Sequence, residues 1–379
     1  MKTNCPIYKK CGSCRYLDID YNQQLQYKTS DLKKLFSKFK NVQVHDVVGS
    51  PQPLGYRNKV IVAFNNNYEY GLYEEHSHTI VPYQKCLLHE DIMDDILMKI
   101  QKIIKKYRVS IYDEKRGRGV LRHVLIRRAV NTDQTMVVLV CNEKVFKGSK
   151  NFCNELIKSF DSIKTVVMNI NTRKTPVVLG NEEKTLYGKG FIVDELCGIK
   201  FKISSKSFYQ INHDQCQQLY NKAIDLLDLK GDEVLLDTYC GIGTIGLIAA
   251  NKVRSVIGVE LNKDAISDAL NNAKMNNVNN IKFYNDDATK FMIKLAEDNA
   301  LVDAVIMDPP RSGSTKKFID SINVLKPRNV VYVSCDPTTQ VRDLEYFIKI
   351  GYRFKEVFGY DMFPYTSHVE SIVLLERNK

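Results

Sequence analysis

Nowhere in the 379 residues do 18 or more apolar residues follow one another, so no membrane-spanning helix is expected. The first ten residues, MKTNCPIYKK, contain no apolar core of the kind a secretory signal needs. Export is therefore not expected, and a cytoplasmic location is. There is no internal repeat and no low-complexity tract, which argues against solenoid and linker architectures. Apolar residues make up 44% of the chain, too many for a disordered protein. In a reducing compartment the ten cysteines do not read as a disulfide frame. They read as metal ligands, a nucleophile or buried thiols. The length is enough for two domains, each with a core of its own.

Charge is present in excess and unevenly spread. Of the net +11, residues 1–130 carry 23 Lys/Arg against 13 Asp/Glu, whereas residues 201–379 carry 22 against 23. A polyanion is one partner for such a first half, and a solvated lysine-rich surface is the other reading. Charge alone leaves the two even.

Periodicity separates two styles of chain. Residues 20–40 and 88–107 read as helices, the first with Leu25, Leu32, Leu35 and Phe36 on one face. Residues 59–64, 68–73, 120–129 and 135–141 read as strands joined by turns, so the first half is mixed α and β. From Val234 on, short β-branched runs alternate with helical segments: 234–237, 255–260, 281–284, 304–308 and 329–334. That alternation predicts right-handed crossovers and a mostly parallel sheet, closed by a hairpin over 352–357 and 368–375. The expected division is 1–198 and 199–379.

The chemistry clusters at strand ends. Gly241-Ile-Gly-Thr-Ile-Gly246 stands between a strand and a helix, where bare backbone N–H groups meet a ligand. Glu260 ends the next strand, where an acid accepts ribose hydroxyls. Asp287 after the third strand reads equally well as an adenine contact or as a helix cap. These features suit NAD and S-adenosylmethionine alike. The motifs Asp308-Pro-Pro-Arg311 and Ser334-Cys-Asp-Pro337 favour the second, because hydride transfer has no use for a strand-end thiol.

A pyrimidine C5 is too weak a nucleophile to take a methyl group unaided. A thiolate adding at C6 turns the ring into an enolate, and a base must later remove the C5 proton. Cys335, Asp308 and Glu370 supply nucleophile, ring-holding acid and base. Spacing alone, however, favours Glu370 as a solvated edge residue, and His368 is weaker still. Cys141, Cys153, Cys197, Cys216 and Cys240 read as buried thiols. Cys5, Cys11 and Cys14 stand close together, with Cys86 the nearest fourth ligand for a [4Fe–4S] cluster or zinc. His76, His78 and His89 flank Cys86 as lesser alternatives.

Taken in order, Cys5-x5-Cys11-Gly-Ser-Cys14, Tyr56-Arg-Asn-Lys59, Ser207-Phe-Tyr-Gln-Ile-Asn212, Asp237-Thr-Tyr-Cys-Gly-Ile-Gly243, Asp308-Pro-Pro-Arg311, Ser334-Cys-Asp-Pro337 and His368-Val-Glu370 resemble the RNA uracil-C5-methyltransferase family, of RumA/TrmA type. The resemblance spans nearly the whole chain. It implies a Rossmann-like class I methyltransferase domain behind an N-terminal α+β domain. It implies Cys335 as nucleophile, Glu370 as proton acceptor, and Gln210, Tyr239, Thr244, Glu260, Asp287 and Asp308 about S-adenosylmethionine. Phe208 or Tyr209 would stack near a flipped base, or pack in the core. The four cysteines resemble the [4Fe–4S] ligands of the ribosomal branch, which tilts the expected substrate to 23S rRNA. The alternatives are a tRNA uridine and a non-catalytic iron–sulfur RNA-binding protein. The β-barrel TRAM domain of many ribosomal members is not expected before Cys5, so RNA grip falls on the basic first half. Ser13 and Thr244 stand where members often carry Gly and Asn. No protein partner is expected.

Overall fold

The computed structural model describes residues 5–377. Chain order begins with helix α1 (Tyr21–Phe36) and strand β1 (Gln43–Val44). Then follow β2 (Lys59–Phe64), β3 (Tyr70–Tyr73), β4 (Ile80–Pro82), α2 (Asp91–Lys106), β5 (Leu121–Ala129), β6 (Gln134–Cys141), α3 (Ser149–Ile157), β7 (Ile163–Ile170) and β8 (Glu182–Gly188). β9 (Phe191–Leu196) and β10 (Ile199–Ser204) pair with each other. After them come α4 (His213–Leu226), β11 (Val234–Thr238), α5 (Thr244–Ala249), β12 (Ser255–Glu260), α6 (Lys263–Met275), β13 (Ile281–Asn285), α7 (Ala288–Glu297), β14 (Ala304–Met307), α8 (Lys316–Leu325), β15 (Asn329–Ser334), α9 (Pro337–Lys349), β16 (Tyr352–Arg353), β17 (Glu356–Tyr360) and β18 (Glu370–Arg377).

The chain forms two compact units. One comprises the described residues up to Asp18, Gln52–Glu195 and Lys202–Lys206; the other comprises Ile19–Pro51, Leu196–Phe201 and Ser207 onward. The division is thus more interleaved than a single break at 198/199. Ile19–Pro51 belongs with the C-terminal unit because α1 buries Leu32 and Phe36 in the same core as Phe347, Phe354 and Val357. β1 also pairs in parallel with β17, Gln43 facing Glu356.

The first unit is a seven-stranded sheet in the order β4-β3-β2-β5-β6-β7-β8, antiparallel except for β6 against β7. α2 repeats apolar residues at helical spacing. Met93, Ile96, Leu97, Ile100, Ile103 and Ile104 are all buried, in one core with Val124, Ile126, Val137 and Leu139 of the sheet.

The C-terminal unit is built on the order β13-β12-β11-β14-β15-β18-β17-β1. β13 to β15 are parallel neighbours, and β18 enters antiparallel between β15 and β17. The closing strands lie a few residues later than their apolar pattern suggests, and Tyr352–Arg353 forms the separate short strand β16 paired with β18. β11 has β12 on one side and β14 on the other, so the direction of winding reverses there. In open α/β sheets that reversal opens a crevice at the carboxyl ends of the strands.

Among the described residues no helix is long and apolar enough to cross a membrane.

Candidate active site

Register brings the strand-end residues of the C-terminal unit to one edge of the sheet. Ser334 of β15 faces Ser371 of β18, so the next pair outward along this antiparallel ladder is Cys335 and Glu370. Met307 of β14 is level with Tyr332 of β15 and with Thr238 of β11, and Thr238 is level with Val259 of β12. One step on from those residues stand Asp308, Tyr239 and Glu260.

Each of these side chains is held by the turn that carries it. After β15, the Ser334 hydroxyl accepts the Asp336 N–H (3.1 Å), and Asp336 caps α9 by accepting from Thr338 N (3.0 Å). Pro337 occupies the first helical turn, where its missing N–H costs nothing. Cys335 is thereby pinned between strand and helix, half-buried. After β12, Glu260 accepts the Gly241 N–H (3.1 Å) and the Asn262 N–H (2.7 Å). Its carboxylate thus ties the glycine turn to the neighbouring strand.

The glycine turn needs its glycines for two reasons. Gly241 and Gly243 have φ of +56° and +80°, and a Cβ on Gly243 would lie 2.8 Å from the Phe283 ring. Asp237, buried beneath, accepts the Gly246 N–H (2.8 Å) and fixes the start of α5. Tyr239 holds φ of +63°, a strained value for a non-glycine residue, at the mouth of this turn. Thr244 is the first residue of α5. Asp287 caps α7, accepting from Lys290 N (3.0 Å), so the cap reading of this residue is realised.

Electrostatics mark the same edge. Glu370 is only 3% exposed, and its carboxyl is pushed up to about 8 by burial and by the charge of Asp308. The expectation of a solvated edge residue fails because β18 is flanked on both sides, by β15 and β17. Burial raises Asp308 and Asp237 to about 7 each. The Cys335 thiol is raised by burial first, then by the charges of Glu370 and Asp308, with Arg311 opposing.

Two groups on α4 had no distinguishing mark in the sequence. Cys216 and Tyr220, one helical turn apart and buried, both sense the charges of Glu370 and Asp308. The Tyr220 hydroxyl also bonds the side chain of Gln210, which is buried beside it. Tyr209 is buried, 6.5 Å from Phe201, and packs in the core. Phe208 is 68% exposed. His368 is exposed, and its ring lies 6.0 Å from Phe363.

In the first unit, Cys5, Cys11, Cys14 and Cys86 line one small cavity of about 20 Å³. Burial raises Cys14 to about 12, and its neighbours Cys86, Cys11 and Cys5 add to the rise. Cys86 moves the other way. Its hydrogen bond to His89 and the nearby charges of His89 and Arg57 outweigh its burial. His89 is itself held by Asp94 (2.8 Å), whereas His78 pairs with Glu114 (2.8 Å). His76 is exposed beside Glu75. Among the described residues no three or more Cys, His, Asp or Glu side chains stand in an arrangement that holds a metal ion. The chemistry of the donor set, four thiols on one cavity, nevertheless suits a soft metal or an iron–sulfur cluster.

The model of the tRNA (uracil-5-)-methyltransferase family matches residues 20–378. The chain belongs to that family. Within the family it is 39% identical over 376 residues to an uncharacterized RNA methyltransferase of Clostridium tetani, covering 98% of this chain and 82% of that one. A second uncharacterized RNA methyltransferase, SAS1819 of Staphylococcus aureus, is 37% identical, with 98% and 83% covered. Among solved structures, the Pyrococcus abyssi tRNA (uracil-54, C5)-methyltransferase in complex with S-adenosyl-L-homocysteine matches with a TM-score of 0.82 at 29% identity. That match covers 98% of this chain and 87% of that one. The α/β fold of these methyltransferases is the fold described above.

Proposed function

We propose that this protein methylates C5 of a uridine in 23S rRNA, with S-adenosylmethionine as donor and Cys335 as covalent nucleophile. The observation that carries the reading is the ladder that sets Cys335 opposite the buried Glu370, with Asp308 one strand away. When bound, S-adenosylmethionine supplies an electrophilic methyl group. The glycine turn, Gln210, Tyr239, Thr244, Glu260 and Asp287 line the crevice that suits it, with Asp308 next to the target base.

Cys335 adds through sulfur to C6 of the uracil, and the electron pair of the C5–C6 bond moves toward O4. Asp308 holds the ring in place through its polar edge. After C5 has taken the methyl group, whose bond to the donor sulfur breaks to leave S-adenosylhomocysteine, Glu370 takes the C5 proton, and the C6–S bond breaks to restore the double bond and the thiolate. A target uridine reaches such a pocket only when turned out of its stack.

Cys5, Cys11, Cys14 and Cys86 hold a [4Fe–4S] cluster in this reading, with zinc as the alternative occupant. That set is what supports ribosomal RNA as substrate, through its likeness to the ribosomal branch. A tRNA uridine is the second reading, favoured by the likeness to the Pyrococcus tRNA enzyme. Methyl incorporation from labelled S-adenosylmethionine into unmodified 23S rRNA and tRNA transcripts tests both, with wild type and Cys335→Ala in parallel. Label in 23S rRNA as 5-methyluridine, from wild type only, is expected. Label in tRNA alone overturns the substrate and keeps the chemistry. Label in neither removes the proposal.

A further inference from the structure

One polar cavity of the first unit takes no part in the proposed methyl transfer. It has a volume of about 530 Å³ and lies between the β2–β3 turn, β4 and the loop before β5. Tyr73, Tyr112, His78 and Asn65 are among its lining residues, with Arg122 and His123 from β5.

Arg122 and His123 are consecutive, so a regular strand would send them to opposite faces. The pairing of β5 with β6 shifts between Leu121 and His123, and this irregularity lets both line the same cavity. They are 6% and 7% exposed. The Arg122 Nε and the His123 Nδ1 are both buried without a hydrogen-bond partner. Neither side chain is loose. Arg122 Nη1 donates to the carbonyls of Asn171 (2.7 Å) and Arg173 (2.8 Å), and its guanidinium lies 4.5 Å from the Tyr112 ring. His123 Nε2 meets the Tyr73 hydroxyl at 3.1 Å. Buried polar atoms fixed in place and left without a partner call for a ligand or a water that completes them.

The lining selects the ligand. Asp113 and Glu114 also face the cavity, which disfavours a phosphate inside it. Glu114 is engaged by His78, and Asp113 accepts the N–H groups of Lys115 (2.9 Å) and Arg116 (3.0 Å). What remains is a set of aromatic faces, a guanidinium N–H and an imidazole nitrogen, which together stack on and hydrogen-bond to a flat heteroaromatic edge. Lys115, Arg116 and Arg118 sit in the same turn, where they can take backbone phosphates outside the cavity.

We infer that this cavity takes one unpaired nucleobase of the RNA chain, a base other than the uridine at Cys335. The inference rests on RNA being the substrate, as proposed above.

Short-wave UV cross-linking tests it, using oligouridylate and oligoadenylate strands of about twelve nucleotides with the adducts mapped by mass spectrometry. Wild type should give adducts on peptides carrying Tyr73, Tyr112 or His123. Tyr112→Ala should lose them and weaken RNA binding about tenfold, the effect of one lost base–aromatic stack. His123→Leu should weaken binding as well, and thermal melting shows whether either variant remains folded. With unmodified 23S rRNA, Tyr112→Ala should raise KM and leave kcat near the wild-type value. If RNA cross-links only to other peptides, or if both folded variants bind as wild type does, the cavity is not a base site. If wild type binds no strand and methylates no RNA, the RNA reading itself falls, and this inference with it.

Discussion

At Cys335 the acidity of the thiol depends on two neighbouring acids, because Glu370 and Asp308 raise it only while they carry charge. Glu370 at about 8 is mostly protonated at neutral pH, and Asp308 at about 7 is near its midpoint. In the proposed mechanism the thiolate therefore forms beside partly neutral acids, and Glu370 becomes competent as the base only when it releases its proton. Methyl transfer is expected to rise with pH between about 6 and 9, which a rate profile on RNA checks. In Glu370→Gln the C6–S adduct should form but resolve slowly. A covalent protein–RNA band on a denaturing gel should then accumulate, and it should be absent from Cys335→Ala.

The same burial makes a stability prediction. The folded state holds the Glu370 proton up to about 8, whereas the unfolded chain releases it near 4.5. This group's contribution is therefore fully present below about 4.5 and is lost as pH rises through 8. Glu370→Gln should melt at a higher temperature than wild type at pH 8, and the difference should shrink at pH 5. An unchanged difference would mean that the carboxyl is not held protonated by the fold.

At the scale of single elements, α1 is attached to the C-terminal unit by a buried ion pair. Lys28 Nζ lies 2.6 Å from Asp361, which also accepts the Tyr21 hydroxyl at 2.9 Å. Removing one partner strands the other charge out of water, at a cost of about 3–5 kcal/mol. Lys28→Met should lower the midpoint of chemical denaturation accordingly, and Lys28→Met with Asp361→Leu should recover part of the loss. The glycine turn is a second such element. Gly243→Ala meets both a left-handed φ and the Phe283 ring, so it should cost about 1–2 kcal/mol and weaken S-adenosylmethionine binding in calorimetry.

At the scale of the whole molecule, charge and metal give the remaining tests. If the excess of cations in residues 1–130 meets RNA phosphates, affinity should fall more than about fiftyfold between 50 and 200 mM salt, a log–log slope near −3 or steeper. A flat slope would reduce that excess to a solvated surface. Protein purified without oxygen should contain iron and sulfide in equal amounts, and Cys86→Ser should lose both. Zinc without sulfide would assign the cavity to the other occupant.

Much of this was legible in one chain of letters, because local rules act over short spans. β12 runs from Ser255 to Glu260, as its apolar run predicts, and α2 follows the three-and-four spacing of its isoleucines. Strand-end motifs alone put Cys335, Asp308 and Glu260 along one sheet edge, since parallel strands present their carboxyl ends together. What the letters could not carry was pairing between distant segments. Glu370 looks like an edge residue until β18 is seen between β15 and β17, and only that position buries it and couples it to Asp308. α1 reads as part of the first half until its apolar face is seen in the core of the second unit. Residue type and spacing determined the chemistry available to this protein. The tertiary structure decided which groups lose water and face one another, because burial and register are properties of segments that meet only in the folded chain.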